Sequence, residues 1–166
     1  MKTVIVYYSL TGNTDYAAQW IVSQIGADMV RLEPKKAYPD RGFRKFLWGG
    51  KSAVMQETPP LMPYRFDADA YDQVVLGTPL WAGNIAPPLR TFLKQQGEKI
   101  KGKRLSVFVC CSGGSDGNAV KKLRALLGGV VLDTVLVLVD PKDRPNAEHD
   151  LRLEQFCRAL SGESGV

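Results

Sequence analysis

The amino-acid sequence predicts an α/β fold: a three-layer, doubly wound parallel sheet of five strands with helices on both faces. Two observations and one packing rule carry this. Short β-branched runs alternate with amphipathic stretches along the chain. Val74-Val75-Leu76 and Val107-Phe108-Val109 are apolar on both faces, as strands covered from both sides are. Strand–helix alternation of this kind builds right-handed βαβ units, which place helices on either side of one sheet.

The elements follow in order. Thr3–Tyr8 is β-branched and aromatic, a buried strand. Ala17, Ile21 and Ile25 recur at helical spacing and predict a helix over Thr14–Ile25. A second strand is expected at Met29–Leu32, a third at Gln73–Gly77, a fourth at Leu105–Cys110 and a fifth at Val130–Val139. Pro87-Pro88 suits a helix start and opens Pro87–Gln96, and Gly128-Gly129 suits the end of Asn118–Leu127. Asn146–Leu160 completes the set.

The chain of 166 residues reads as one domain over 1–162, with an extended connection over 33–66 between strands two and three and a short tail at 163–166. In that connection Asp40 is expected to cap a helix bearing Phe43, Phe46, Leu47 and Val54 on one stripe, which Gly49-Gly50 would weaken or break. The plain reading is an ordinary helix followed by an irregular return through Pro59, Pro60 and Pro63. The sharper one is a lid or interface with Trp48 exposed. Hydrophobic content of 45% and charge of 23% suit a soluble globular protein. No apolar stretch is long enough to span a bilayer, so no membrane insertion is expected, and no signal peptide is evident. Three cysteines, two of them adjacent (Cys110-Cys111), argue against a disulfide framework and fit a cytoplasmic protein.

The chemistry concentrates in three loops. Ser9-Leu10-Thr11-Gly12-Asn13-Thr14 lies between a strand and a helix. Such a turn exposes backbone N–H groups at a helix N-terminus, where the peptide dipoles favour an anion. Its hydroxyls add donors without charge, so it suits a phosphate held without Lys or Arg; the same residues would also serve as a simple helix cap. In a doubly wound sheet ligands sit beyond the carboxyl ends of the strands, so the loops after strands one, three and four should converge. The loop after strand three, from Gly77 to Ile85, offers Trp81, a large flat aromatic that would otherwise be a packing residue. The loop after strand four, Cys111-Ser112-Gly113-Gly114-Ser115-Asp116-Gly117, lets a ring approach the backbone closely. Together they describe a site for a planar phosphorylated cofactor.

On these residues the chain resembles the flavodoxins and flavodoxin-like FMN-binding proteins. The segment from Ser9 to Thr14 looks like their phosphate-loop signature, (Ser/Thr)-x-Thr-Gly-x-Thr. Gly77-Thr78-Pro79-Leu80-Trp81, with Pro87 and Phe92 downstream, is similar to their second flavin-binding loop, and Ser112-Gly113-Gly114-Ser115 to their third. The resemblance implies a sheet in the order 2-1-3-4-5, the flavodoxin order, and FMN as cofactor. It implies that Ser9, Thr11, Asn13 and Thr14, with the Leu10 and Gly12 backbones, hold the phosphate. Thr78, Pro79, Leu80, Trp81, Ala82 and Gly83 would line the isoalloxazine ring, and Cys111, Ser112, Gly113 and Gly114 its pyrimidine side. A carbonyl of the Ala82-Gly83-Asn84 turn would accept a hydrogen bond from the reduced ring, with Gly83 permitting the peptide flip. Cys110 is expected to be a buried, inert thiol.

Rival readings fail on the residues. A low-molecular-weight phosphatase needs Arg six positions after its Cys, where this chain has Asp116 and Gly117. A receiver domain needs acidic residues where Ser9 and Thr11 stand, and no nucleoside-triphosphate loop is present. His149 is expected at the surface, with no metal set around it.

One departure bears on function. Electron-shuttling flavodoxins are acidic, whereas this chain carries a net charge of +5. Lys35, Lys36, Arg41, Arg44, Lys45 and Lys51 cluster in the connection, and Lys94, Lys99, Lys101, Lys103 and Arg104 form a second group. Besides a solvated surface, such charge fits NAD(P)H or an acidic redox protein as partner, and no recognition motif points to nucleic acid. Two functions remain: an FMN electron carrier, or an FMN-dependent NAD(P)H:quinone-type oxidoreductase.

Overall fold

The computed structural model describes residues 1–113, 115 and 118–163, with the backbone alone at 42, 43, 45 and 46. The elements are β1 (Thr3–Tyr7), α1 (Asn13–Ile25), β2 (Asp28–Arg31), α2 (Gly42–Val54), β3 (Gln73–Trp81), β4 (Asn84–Ile85), α3 (Pro87–Ile100), β5 (Arg104–Cys111), α4 (Ala119–Leu126), β6 (Thr134–Val139) and α5 (Ala147–Ser161). A short 3₁₀ turn at Ala68–Ala70 precedes β3.

The sheet runs β2-β1-β3-β5-β6, with all four neighbouring pairs parallel. With β4 left aside this is the expected 2-1-3-4-5 order. Alternation along each strand divides the side chains between two layers. Val4, Val6, Val74, Leu76, Leu105, Val107 and Val109 pack with Ile85, Leu89, Phe92 and Leu123 from the α3 and α4 side. Ile5, Tyr7, Val75, Phe108, Leu136 and Leu138 pack with Ala17, Ile21, Leu153 and Phe156 from α1 and α5. Full burial of each large aliphatic side chain is worth about 1.5–3 kcal/mol, so these two layers hold the strand ends in register. Among the described residues no helix is long and apolar enough to cross a membrane.

Four elements differ from their expected extents by more than a residue at either end. The loop predicted after Gly77 is in part strand: β3 continues to Trp81 and folds back on β4, pairing Leu80 with Ile85 and Trp81 with Asn84. Ala82 and Gly83 make the two-residue turn with φ of 48° and 70°. This is the primed geometry that suits the strand twist, built on Ala-Gly where Asn-Gly would have announced it. The fifth strand starts at Thr134, four residues later than expected. The Asp133 N–H already meets the Leu105 carbonyl near the start of β5, at 2.7 Å, so the residues before it have no strand to pair with.

The third difference is α2, which runs unbroken through Gly49-Gly50 and starts after Arg41 without a side-chain cap from Asp40. A Cβ on Gly49 would stand 3.3 Å from the Trp81 ring, and one on Gly50 3.9 Å from the Ala82 Cβ. The missing side chains let the helix lie directly on the β3–β4 hairpin, and that contact outweighs glycine's cost of about 1 kcal/mol in a helix interior. Of the expected apolar stripe, Leu47 and Val54 are exposed, as is Trp48, while Phe43 and Phe46 carry side chains outside the described set. The fourth is α3, which continues past Gln96 to Ile100, with Gly97 facing Leu127.

The return from α2 to β3 is irregular, as expected. It is tied down by Lys35 N–H on the Pro60 carbonyl (2.8 Å), Met62 N–H on the Glu33 carbonyl (2.7 Å) and Thr91 Oγ1 on the Pro59 carbonyl (2.8 Å). His149 is buried rather than at the surface, because the Asn146 side chain caps α5 at the His149 N–H (2.9 Å) and packs its amide against the imidazole.

Candidate functional site

The carboxyl ends of β1, β3 and β5 open into a cavity of about 320 Å³. Leu10, Thr11, Asn13 and Thr14 line it from the loop after β1; Pro79, Leu80, Trp81 and Ala82 from the end of β3 and the hairpin turn; Cys110, Cys111 and Ser112 from the end of β5. Gly50 of α2 and Asp140 after β6 complete the wall. The three loops picked from the sequence therefore meet where the topology requires.

The first loop is built to leave donors open. Ser9 is buried, and its Oγ accepts from the Asp15 N–H at 3.1 Å, capping the first turn of α1. Gly12 takes φ +98° and its carbonyl accepts from the Tyr16 N–H at 2.9 Å. Among the described residues the backbone N–H groups of Leu10, Thr11, Gly12, Asn13 and Thr14 donate no hydrogen bond within the chain. Unpaired N–H groups in succession at a helix N-terminus form an anion cradle.

The Asn13 side chain is used differently from the sequence expectation. Its Oδ1 accepts from the backbone N–H groups of Lys142 (2.9 Å) and Asp143 (3.3 Å), and its Nδ2 donates to Asp143 Oδ2 at 2.8 Å. The amide thus fastens the β6–α5 turn to the first loop, while the Asn13 backbone N–H stays without a partner among the described residues. Nor is the loop without a cation nearby: Lys142 Nζ donates to the Thr11 carbonyl at 3.0 Å.

Trp81 stands in an aromatic cluster. Its ring meets Tyr8 edge-on at 5.6 Å between centroids and Tyr38 at 5.1 Å. Tyr38 is fixed in turn by a 2.9 Å hydrogen bond between its hydroxyl and Ser52 Oγ on α2. Burial pushes the Tyr8 phenol well above its ordinary value, so it stays neutral. With Gly49 under it, the indole is held in place by Tyr8, Tyr38 and α2 before any ligand arrives. Thr78 lies behind the wall: its Oγ1 accepts from the Ala86 N–H at 3.0 Å and joins β3 to the start of α3. Gly83, at the hairpin tip, is outside the lining. The turn's carbonyls are engaged, Ala82 by Asn84 Nδ2 (2.7 Å) and Gly83 by Lys122 Nζ of α4 (3.3 Å). A peptide flip there would have to break these bonds.

On the third side the Cys111 Sγ has the Gly113 and Leu138 carbonyls within reach of its single S–H, and Gly114 lies outside the described residues. Cys110 is buried, as expected, and burial pushes its thiol up to about 12. Ser112 Oγ donates to Asp140 Oδ1 at 3.0 Å, and Arg144 pairs with the same carboxylate at 3.3 Å. Asp140, Gly50 and Lys142 are site residues that sequence reasoning missed, and Cys110, expected only as a buried thiol, also lines the cavity. Gly50 had a signal in the glycine pair of a predicted helix. Asp140 and Lys142 had only their place after the last strand.

Several solved structures share this fold. A flavoprotein from Lactobacillus acidophilus, in complex with FMN, is 21% identical, with 86% of this chain and 95% of that one covered and a TM-score of 0.71. The two-electron reduced flavodoxin of Megasphaera elsdenii is 18% identical over 97% of this chain and 99% of its own, with a TM-score of 0.63. Oxidised flavodoxin 1 from Bacillus cereus gives 17%, 99%, 100% and 0.56. The family model described as Flavodoxin matches residues 2–147, which takes in the sheet, the three loops and every helix but α5. On that match the chain belongs to the flavodoxin family.

Proposed function

We propose that this protein binds FMN in the cavity at the strand ends and carries electrons through it. The observation that carries this reading is one cavity lined both by a helix N-terminal loop with unpaired N–H donors and by a fixed tryptophan. Its volume falls in the range of small-ligand sites. The FMN in the Lactobacillus acidophilus flavoprotein and the reduced state of the Megasphaera elsdenii flavodoxin support it.

In this reading the phosphate rests on the N–H groups of Leu10 to Thr14, with the Thr11 and Thr14 hydroxyls beside it. Ser9, Asn13 and Thr78 hold the loops in shape. The ring lies against Trp81 and the Pro79–Ala82 backbone, with Gly83 at the turn. Cys111, Ser112, Gly113 and Gly114 lie on its pyrimidine side. When bound, FMN supplies one- and two-electron redox chemistry. The chain contributes placement, exclusion of water and the local field.

The basic balance supports an acidic redox protein as partner. Lys35, Lys36, Arg41, Arg44 and Lys51 are exposed and make no ion pair among the described residues. They flank α2, whose Gly50 borders the cavity. A basic rim there would raise the encounter rate with an acidic surface and lose that advantage in salt.

The test is the anaerobic visible spectrum of the FMN-loaded protein before and after adding NADPH or NADH. Bound-flavin bands that persist until a partner reductase is added are expected of a carrier. Direct bleaching by the nicotinamide would favour the oxidoreductase instead. No binding of FMN would defeat the cofactor assignment.

A further inference from the structure

Lys142 sits on the β6–α5 turn, 131 residues on from Thr11, yet its ammonium lies against the first loop. Three contacts hold it there. Its backbone N–H donates to Asn13 Oδ1, its Nζ donates to the Thr11 carbonyl at 3.0 Å, and Asp143 Oδ1 stands 3.4 Å from the Nζ. Gly12 makes room for it: a Cβ at that position would be 3.1 Å from the Nζ. The glycine is thus required twice, by its φ of +98° and by the approaching cation.

The peptide between Thr11 and Gly12 is trans, so its carbonyl and its N–H point to opposite sides. An ammonium that holds the carbonyl from outside turns the Gly12 N–H the other way. Thr11 and Asn13 line the cavity, while Lys142 does not. A cation on a carbonyl also polarises its amide, which makes the N–H a stronger donor to an anion.

We propose that Lys142 is a positioning residue for the cofactor phosphate: it fixes the Thr11–Gly12 peptide from behind and gives the site the positive charge that the loop itself lacks. This rests on the FMN reading above. Asp143 offsets part of the charge, and Arg144 is occupied with Asp140, so the effect expected is that of one partly screened cation.

The test compares dissociation constants for FMN and for riboflavin, which has the ring without the phosphate, by flavin fluorescence at several salt concentrations. The proteins are the unmodified chain, Lys142→Met and Lys142→Arg. The side chain is about half exposed, so neither variant disturbs the core. Lys142→Met should weaken FMN about tenfold, leave riboflavin unchanged and make FMN binding less salt-dependent. Lys142→Arg should stay within about twofold of the unmodified chain, since it keeps the charge. A ³¹P titration of bound FMN should show the second phosphate ionisation moving to higher pH in Lys142→Met. Equal weakening of FMN and riboflavin, or no change in FMN, would overturn the proposal while leaving the cofactor reading intact. Failure of the unmodified chain to bind FMN would overturn both.

Discussion

Asn13→Ala separates two accounts of the same residue. If the side chain served the phosphate, its loss would weaken FMN and leave the cofactor-free protein as stable as before. The structure instead spends the amide on the β6–α5 turn: two backbone N–H groups, Lys142 and Asp143, on Oδ1, and a charge-assisted bond from Nδ2 to Asp143. Asn13 is 7% exposed, so water has little access to groups left behind. Two neutral bonds at about 1 kcal/mol each and one to a carboxylate at about 1.5–3 kcal/mol bound the gross loss at roughly 3.5–5 kcal/mol. The turn itself is near the surface and can relax, so a net loss of about 2–3 kcal/mol is expected. Urea unfolding of the cofactor-free protein measures it, with hydrogen exchange at the Lys142 and Asp143 amides as the local readout. Asn13→Asp keeps the acceptor but turns a carboxylate toward Asp143, so at pH 7 it should cost at least as much. A cofactor-free stability within about 0.5 kcal/mol of the unmodified protein, with both amides still protected, would refute the reasoning.

Three further outcomes follow from single contacts. Gly77→Ala would put a Cβ 2.3 Å from Phe108 Cζ and 2.8 Å from the Tyr7 Cβ, inside the sheet; the expected loss is about 3 kcal/mol or more, read as a lower urea midpoint at unchanged m. Asp140→Asn removes a carboxylate from the cavity wall and should raise the one-electron potential of bound FMN by roughly 20–60 mV in spectroelectrochemistry, with Arg144 limiting the gain; a fall would show that the carboxylate acts only on loop structure. Cys110 has its thiol raised from 9.0 to about 12 in the folded chain, so between those values unfolding releases a proton and stability falls with rising pH by about 1.4 kcal/mol per unit from this group alone. Cys110→Ala should flatten the pH dependence of urea unfolding above pH 9 by that amount, and an unchanged slope would count against the buried neutral thiol.

What the sequence disclosed and what it concealed divide along a physical line. Strands buried on both faces announce themselves, because Val74-Val75-Leu76 and Val107-Phe108-Val109 have no polar face to offer water. Once the sheet is parallel, the convergence of three loops at its carboxyl edge follows from topology, and the polar run from Ser9 to Thr14 shows which loop favours an anion. The concealed features at the site depend on a partner far along the chain. Gly49-Gly50 reads as a helix breaker until Trp81 is seen lying on it. The Asn13 amide reads as a ligand donor until the turn at 142 and 143 is brought up against it. Local propensity can place an element, but it has no access to the surface that element is pressed against.

The β6–α5 turn then has a larger role than its position after the last strand suggests. Asp140, in the left-handed region at φ +43°, ends the strand and directs its carboxylate to the cavity wall beside Ser112. Two residues later Lys142 directs its charge to the back of the loop after β1. One short turn therefore delivers a negative group to one part of the site and a positive group to another, and Asn13 fixes both by holding the turn. Under the FMN reading, affinity and potential are set by neighbouring side chains with opposite charge. Substitutions at 140 should then move the potential with little change in phosphate affinity, and substitutions at 142 should do the reverse. Asn13→Ala, which frees the turn as a whole, should disturb both together. That pattern, one residue coupled to two independently tunable properties, is what a turn acting as a single rigid support requires.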